Sequence, residues 1–324
     1  MSKGKRFVLL NLLLLTLLLI ISLRVGQAKL SLKEALQALV NLSTPSNNYI
    51  VLNLRLTRSL LAIILGGGLA LSGLVYQTIF KNDLCEPYIL GVSSGASFFA
   101  ALSLFLFPSV FSSAIFSSFG GIMVTLLILL ISNKKELSSS SLLLTGISIS
   151  YIFSALVTLM LFLFQSEMKS FIFWSFGSLS SANYSKIAIA LIVFTFTITL
   201  TYNKNKELDL FYLDEESAFS IGMDVKKHKL TLLLLAALTT SLVIGFAGPI
   251  GFVGLISPHI TRRFVNNTHK ALTPSTFLLG SNILLFSDII SRTVLKSGEA
   301  PIGVITALLG APFFLFLLLK RRKS

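Results

Sequence analysis

The chain has 324 residues, of which 54% are hydrophobic and only 12% charged, and its mean hydropathy is +0.85. So much apolar surface exceeds what a soluble core can hide, so part of it must face lipid. The formal net charge of +14 would suggest a nucleic-acid partner in a soluble protein, but its distribution gives a membrane orientation instead, and no nucleic acid is expected.

Apolar runs near the ~20 residues that cross a bilayer recur along the whole length. In chain order they predict helices at roughly 6–23, 59–80, 89–107, 114–132, 142–164, 185–202, 230–247, 249–264, 273–294 and 302–319. The expected fold class is all-α: a polytopic transmembrane helix bundle of about ten spans, forming one transmembrane domain over residues 1–324. An even number of spans puts both termini on one side. With the termini in the cytoplasm, the inner basic residues are Lys3, Lys5, Arg6, Lys81, Lys134, Lys135, Lys204, Lys206, Lys226, Lys227, Lys229, Arg262, Arg263, Lys270 and the run Lys320 to Lys323. These are 18 of the 27 lysines and arginines, a two-to-one bias that fits the positive-inside rule. Gly26-Gln27-Ala28 imitates a signal-peptide cleavage site, but the apolar run from Phe7 to Leu23 is longer than the usual signal core and predicts an uncleaved first helix.

The second run carries the densest information. Arg55 and Arg58 stand immediately before it, and arginine beside a membrane-length segment must lie at the interface or face a partner. Within it Gly66, Gly67, Gly68 and Gly73 suit close helix packing. Cys85, in the following polar break, cannot form an internal disulfide and is read as a structural thiol.

Three connections are long. Residues 24–53 contain an amphipathic SLKEALQALVNL stretch suited to the outer membrane surface, and residues 165–184, with Trp174, suit an interfacial helix. Residues 203–229 form the largest cytoplasmic segment, with Glu207, Asp209, Asp214, Glu215, Glu216 and Asp224 and the small pair Ala218 and Gly222. A solvated loop and a docking element fit it equally well. No phosphate-binding loop, nucleophile elbow or His/Cys metal spacing occurs; the three histidines are scattered. No cofactor, metal or catalytic residue is therefore expected, and a transport subunit is favoured over an enzyme.

Several separated motifs then converge. Arg55-Leu-Thr-Arg58, Gly66 through Gln77, Lys81-Asn-Asp-Leu-Cys-Glu-Pro87, Leu90-Gly91-Val-Ser-Ser-Gly95-Ala96, Gly248 through Arg262, Ser287-Asp288 with Arg292, Glu299-Ala-Pro301-Ile-Gly303 and Gly310-Ala-Pro312-Phe313 occur in this order. Together they resemble the FecCD-type permeases of binding-protein-dependent ABC importers, which carry iron–siderophore, haem or cobalamin complexes. Thr57 stands where the family has proline, and Asp83 and Cys85 replace a proline and an alanine.

The resemblance implies a bacterial cytoplasmic membrane location and a type II importer architecture. Its implied partners are two ATPase subunits, a second permease copy or paralogue, and an extracytoplasmic substrate-binding protein. It implies that Arg55, Arg58 and Arg292 receive acidic residues of the binding protein, and that Ser139 and Ser140 form a cytoplasmic gate. It further implies that Asp214, Glu215, Glu216, Ala218 and Gly222 belong to the element that couples to the ATPase, with Ala218 and Gly222 at closest approach. An iron–siderophore complex is the first expected cargo, before haem and cobalamin. The rival is a secondary transporter coupled through Asp288, although Arg292 one turn away offers that carboxylate a local ion pair.

Overall fold

The computed structural model describes residues 3–88, 91–107, 110–133, 138–213, 218, 220, 222–295 and 298–321, and among these the chain is helical with no strand. Helix α1 (Lys3–Arg24) is followed by α2 (Leu32–Leu39), whose start is closed by a reciprocal capping box between Ser31 and Glu34. Thr44 caps α3 (Pro45–Tyr49), which continues through a π-helical turn, Ile50–Leu56, into α4 (Thr57–Ile79). Then come α5 (Val92–Leu106), α6 (Val110–Asn133), α7 (Ser139–Leu163) and the short α8 (Met168–Ser175) that carries Trp174. The remainder is α9 (Tyr184–Asn203), α10 (Asn205–Leu210), α11 (Val225–Ala247), α12 (Val253–Phe264), α13 (His269–Thr293) and α14 (Ile302–Arg321).

Among the described residues, six stretches are long and apolar enough to cross a membrane: α1, the continuous α3–α4, and α6, α7, α9 and α11. Helix α13 has the length but not the hydropathy, because Thr273, Ser281, Asn282, Ser287, Asp288 and Arg292 are buried in it. A helix surrounded by protein can carry polar groups that a lipid-facing one cannot.

That surrounded centre is α4, packed against α9, α11, α12 and α13. Small residues make the packing possible. A Cβ added at Gly66 would lie 2.5 Å from the Gly280 carbonyl oxygen of α13, and one at Gly73 would lie 1.8 Å from that of Gly254 in α12. At Gly67 and Gly68 it would run into the rings of Phe277 and Phe194. Backbones that approach this closely gain dispersion contacts where lipid supplies no hydrophobic drive. Between α1 and α13, buried Asn282 Nδ2 donates a hydrogen bond to Asn11 Oδ1 at 3.0 Å, a class of contact that averages about 0.6 kcal/mol in membranes.

Several start sites differ from the hydropathy reading by three to five residues, two of them for a visible local reason. Helix α11 begins at Val225 rather than 230, because Asp224 caps it through the Lys227 N–H and its first turn is polar. Helix α12 begins at Val253 rather than 249. Gly248 at φ +74° and Phe252 at φ +68° hold the intervening residues out of helix. The unwound stretch is satisfied by other chain segments: Tyr88 Oη donates to the Ile250 carbonyl at 2.7 Å and accepts from its N–H at 2.9 Å. Glu86 Oε1 accepts from the Phe252 N–H at 2.6 Å, and Ala247 O accepts from Ser178 N at 2.8 Å. Non-helical backbone at membrane depth survives only when protein supplies such partners.

Candidate functional site

One end of α4 and α13 holds a charged cluster. The π-helical turn brings Arg55 against the end of α1, where its guanidinium donates to the carbonyls of Leu23 (2.8 Å), Arg24 (2.6 Å) and Ala28. A cation there complements the negative end of the α1 dipole. One turn on, Arg58 Nε meets Asp288 Oδ1 at 2.5 Å and its Nη1 meets Glu299 Oε2 at 2.6 Å. Arg292 Nη2 lies 2.6 Å from Asp288 Oδ2, and its Nη1 donates to the Ser22 carbonyl at 3.3 Å. Asp288 is fully buried, and each arginine is 5–6% exposed. The three arginines are thus brought together, and all three are engaged within the chain. They line a hollow of about 440 Å³ with Gly26, Gln27, Ser180 and Glu299. Three guanidinium groups against two carboxylates leave one positive charge in it.

The opposite end of the same helices meets the described part of residues 203–229. Helix α10 lies against α13, with Asp209 Oδ1 accepting from the backbone N–H of His269 at 2.8 Å and from its ring Nδ1 at 2.6 Å. Leu208, Phe211, Ala218 and Met223 pack into a buried cluster with Val75, Tyr76, Ile79 and Phe80 of α4 and its end. Ala218 is 3% exposed, with its methyl group packed in that cluster. Gly222 is exposed at φ +87°, with nothing within 4 Å of an added Cβ. Asp214, Glu215 and Glu216 lie outside the described residues.

Ser139 and Ser140 sit in the first turn of α7, after Ser138, whose Oγ caps the helix by accepting from the Ser141 N–H at 3.3 Å. Ser139 is half-buried and Ser140 exposed. Helix α7 is the least covered of the six, with 11% of its span buried, and Ser140, Ser148, Tyr151, Ser154 and Thr158 are exposed along it. Among the described residues no three His, Cys, Asp or Glu side chains converge to hold a metal ion.

A profile of the FecCD transport family matches residues 14–320. The chain belongs to that family. This FecCD permease is 34% identical to the hemin transport system permease protein HmuU of Yersinia pestis, over 95% of each chain. It is equally 34% identical to the molybdate import system permease protein MolB of Haemophilus influenzae, over 96% of this chain and 95% of the other. The iron(3+)-hydroxamate import permease FhuG of Bacillus subtilis is 31% identical over 95% of each. Among solved structures, the inward-facing conformation of an ABC transporter assigned to the metal-chelate type superposes with a TM-score of 0.89 at 32% identity, covering 98% of this chain and 99% of that one.

The FecCD permease has site residues that the sequence reading passed over. Glu299, quoted only within a motif, completes the arginine cluster. His269, treated as one of three scattered histidines, is fully buried between Asp209 and Thr78. Asp209 in α10 and Asp288 in α13 are 79 positions apart; spacing tied Asp288 to Arg292 one turn away, but no local spacing could have joined Asp288 to Arg58 or Asp209 to His269.

Proposed function

We propose that this permease is the transmembrane subunit of a binding-protein-dependent ABC importer, driven by separate ATPase subunits and carrying an iron complex into the cytoplasm. The observation that carries the reading is the chain-wide likeness, in family and in fold, to ABC permeases. A siderophore complex is the preferred cargo, before haem and cobalamin. Relatives named for hemin, iron(3+)-hydroxamate and Fe(3+)-citrate support an iron complex, while the molybdate relative shows how one scaffold serves other cargo.

In this reading the ten apolar segments span the bacterial cytoplasmic membrane, with both termini inside. The arginine hollow then opens outward, and its surplus positive charge suits an acidic side chain of the binding protein. Residues 203–229 face the ATPase, with Asp214, Glu215, Glu216 and Gly222 at the contact and Ala218 as the buried anchor. Two permease chains, copies or paralogues, place α7 beside a shared pathway. Ser139 and Ser140 narrow it at the inner end, and the hydroxylated stripe offers weak contacts to a bulky passing complex.

Proton coupling through Asp288 fits less well, because both its carboxylate oxygens face guanidinium groups and a neutral form would leave two buried cations short of charge. The test is uptake of radiolabelled ferric siderophore by cells with and without this permease, with haem and cobalamin as competitors. Loss of siderophore uptake on deletion is expected. Unchanged iron uptake together with loss of another cargo overturns the iron assignment.

A further inference from the structure

We propose that Asp209, His269 and Thr78 form a joint that carries movement of the ATPase-facing segment into the two central helices, with His269 as the positioning residue. This rests on the coupling role proposed for residues 203–229. The joint begins at α10, which immediately precedes that segment's acidic stretch. Asp209 Oδ1 holds both the backbone N–H and the ring Nδ1 of His269, at 2.8 and 2.6 Å. The opposite ring nitrogen, Nε2, meets Thr78 Oγ1 at 2.8 Å. A carboxylate on Nδ1 fixes the proton there, leaving Nε2 of the neutral ring to accept from the threonine hydroxyl.

His269 is the first residue of α13, and Thr78 is in the last turn of α4. A rigid aromatic ring with polar atoms on opposite edges thus connects α10 to both helices, and neither His269 nor Thr78 has any solvent exposure. The attachment is reinforced on either side. Thr273 Oγ1 donates to Asn205 Oδ1 at 3.1 Å one turn along both helices, Tyr212 stacks on the imidazole with centroids 5.7 Å apart, and Lys81 Nζ donates to the Leu213 carbonyl at 2.5 Å.

What makes this arrangement a transmission path is where the two helices lead. They are locked together at the Gly66–Gly280 crossing, and their far ends carry Arg58, Asp288 and Arg292. A displacement of α10 therefore reaches the arginine hollow through two close-packed rigid elements rather than through loops.

Thr78→Val keeps the side-chain shape and the Asp209–His269 contact but removes the hydroxyl that ties the ring to α4. In the full complex with its ATPases and binding protein, reconstituted in lipid, we expect T78V to assemble. We expect its ratio of binding-protein-stimulated to basal ATP hydrolysis to fall about five-fold or more, within the usual range of coupling between sites, with a parallel loss of uptake. Thr78→Ser, which restores the hydroxyl, should recover the ratio. Should T78V not assemble, Asp209→Ala on the half-exposed side of the joint is read the same way. A stimulated wild type with an undiminished ratio in the assembled variant overturns the joint. A wild type that shows no stimulation at all overturns the coupling reading, and the joint with it.

Discussion

Asp288 illustrates how much one side chain carries in this protein. Its two oxygens face Arg58 and Arg292, all three groups are buried, and Glu299 pairs with Arg58 as a second counter-charge. Removing one partner of a buried pair typically costs about 3–5 kcal/mol, because the remaining charge keeps its desolvation penalty without its compensation. Asp288→Asn should therefore destabilise the permease by that order, measured by thermal unfolding in detergent. An unshifted transition would mean that the cluster contributes no structural stability. Cys85 makes a different prediction. It is 2% exposed, and burial pushes its thiol up to about 11, so the reactive thiolate is scarce at neutral pH. Maleimide should label it slowly in the native protein and rapidly after denaturation; fast native labelling would contradict its burial. Gly222 is constrained only by its backbone at φ +87°, since an added Cβ meets nothing. Gly222→Val should cost roughly 1–2 kcal/mol of local strain and reduce ATP-coupled transport while leaving membrane insertion intact. Full transport by that variant would remove Gly222 from the coupling element.

At the scale of elements, hydropathy locates helices well and describes their ends poorly. The runs that became α1, α6, α7 and α9 were readable because their apolar residues outnumber everything else over a full span. The capped polar start of α11 at Asp224 and the left-handed residues that delay α12 were not, because hydropathy does not register caps or backbone twists. The glycine triplet was legible as a packing surface, whereas its partners Gly280, Phe277 and Phe194 were not, since they come from helices far along the chain. Helix α7 gives the test at this scale. Its exposed hydroxyl stripe is explained if a second permease chain lies opposite, so cysteines at Ser139 or Ser140 should cross-link between two chains in one nucleotide state and block uptake. Absence of a cross-link in every state would leave these serines as the capped start of a helix and nothing more.

Across the whole molecule, α4 and α13 run side by side from the arginine cluster to the α10 attachment, so the two ends proposed to meet different partners share one rigid pair of helices. The arginines of this site were conspicuous in the sequence because charge beside an apolar run has few places to go. The pairing of Arg292 with Asp288 one turn away was legible too, whereas those of Arg58 with Asp288 and Glu299, and of His269 with Thr78, depended on contacts spanning more than half the chain. The most direct test of the account is uptake into proteoliposomes holding the permease, its ATPases and its binding protein, with and without ATP and with and without a proton gradient. The account predicts accumulation of the ferric complex that requires both ATP and the binding protein. Accumulation that continues without ATP and stops when a proton gradient is removed would contradict it.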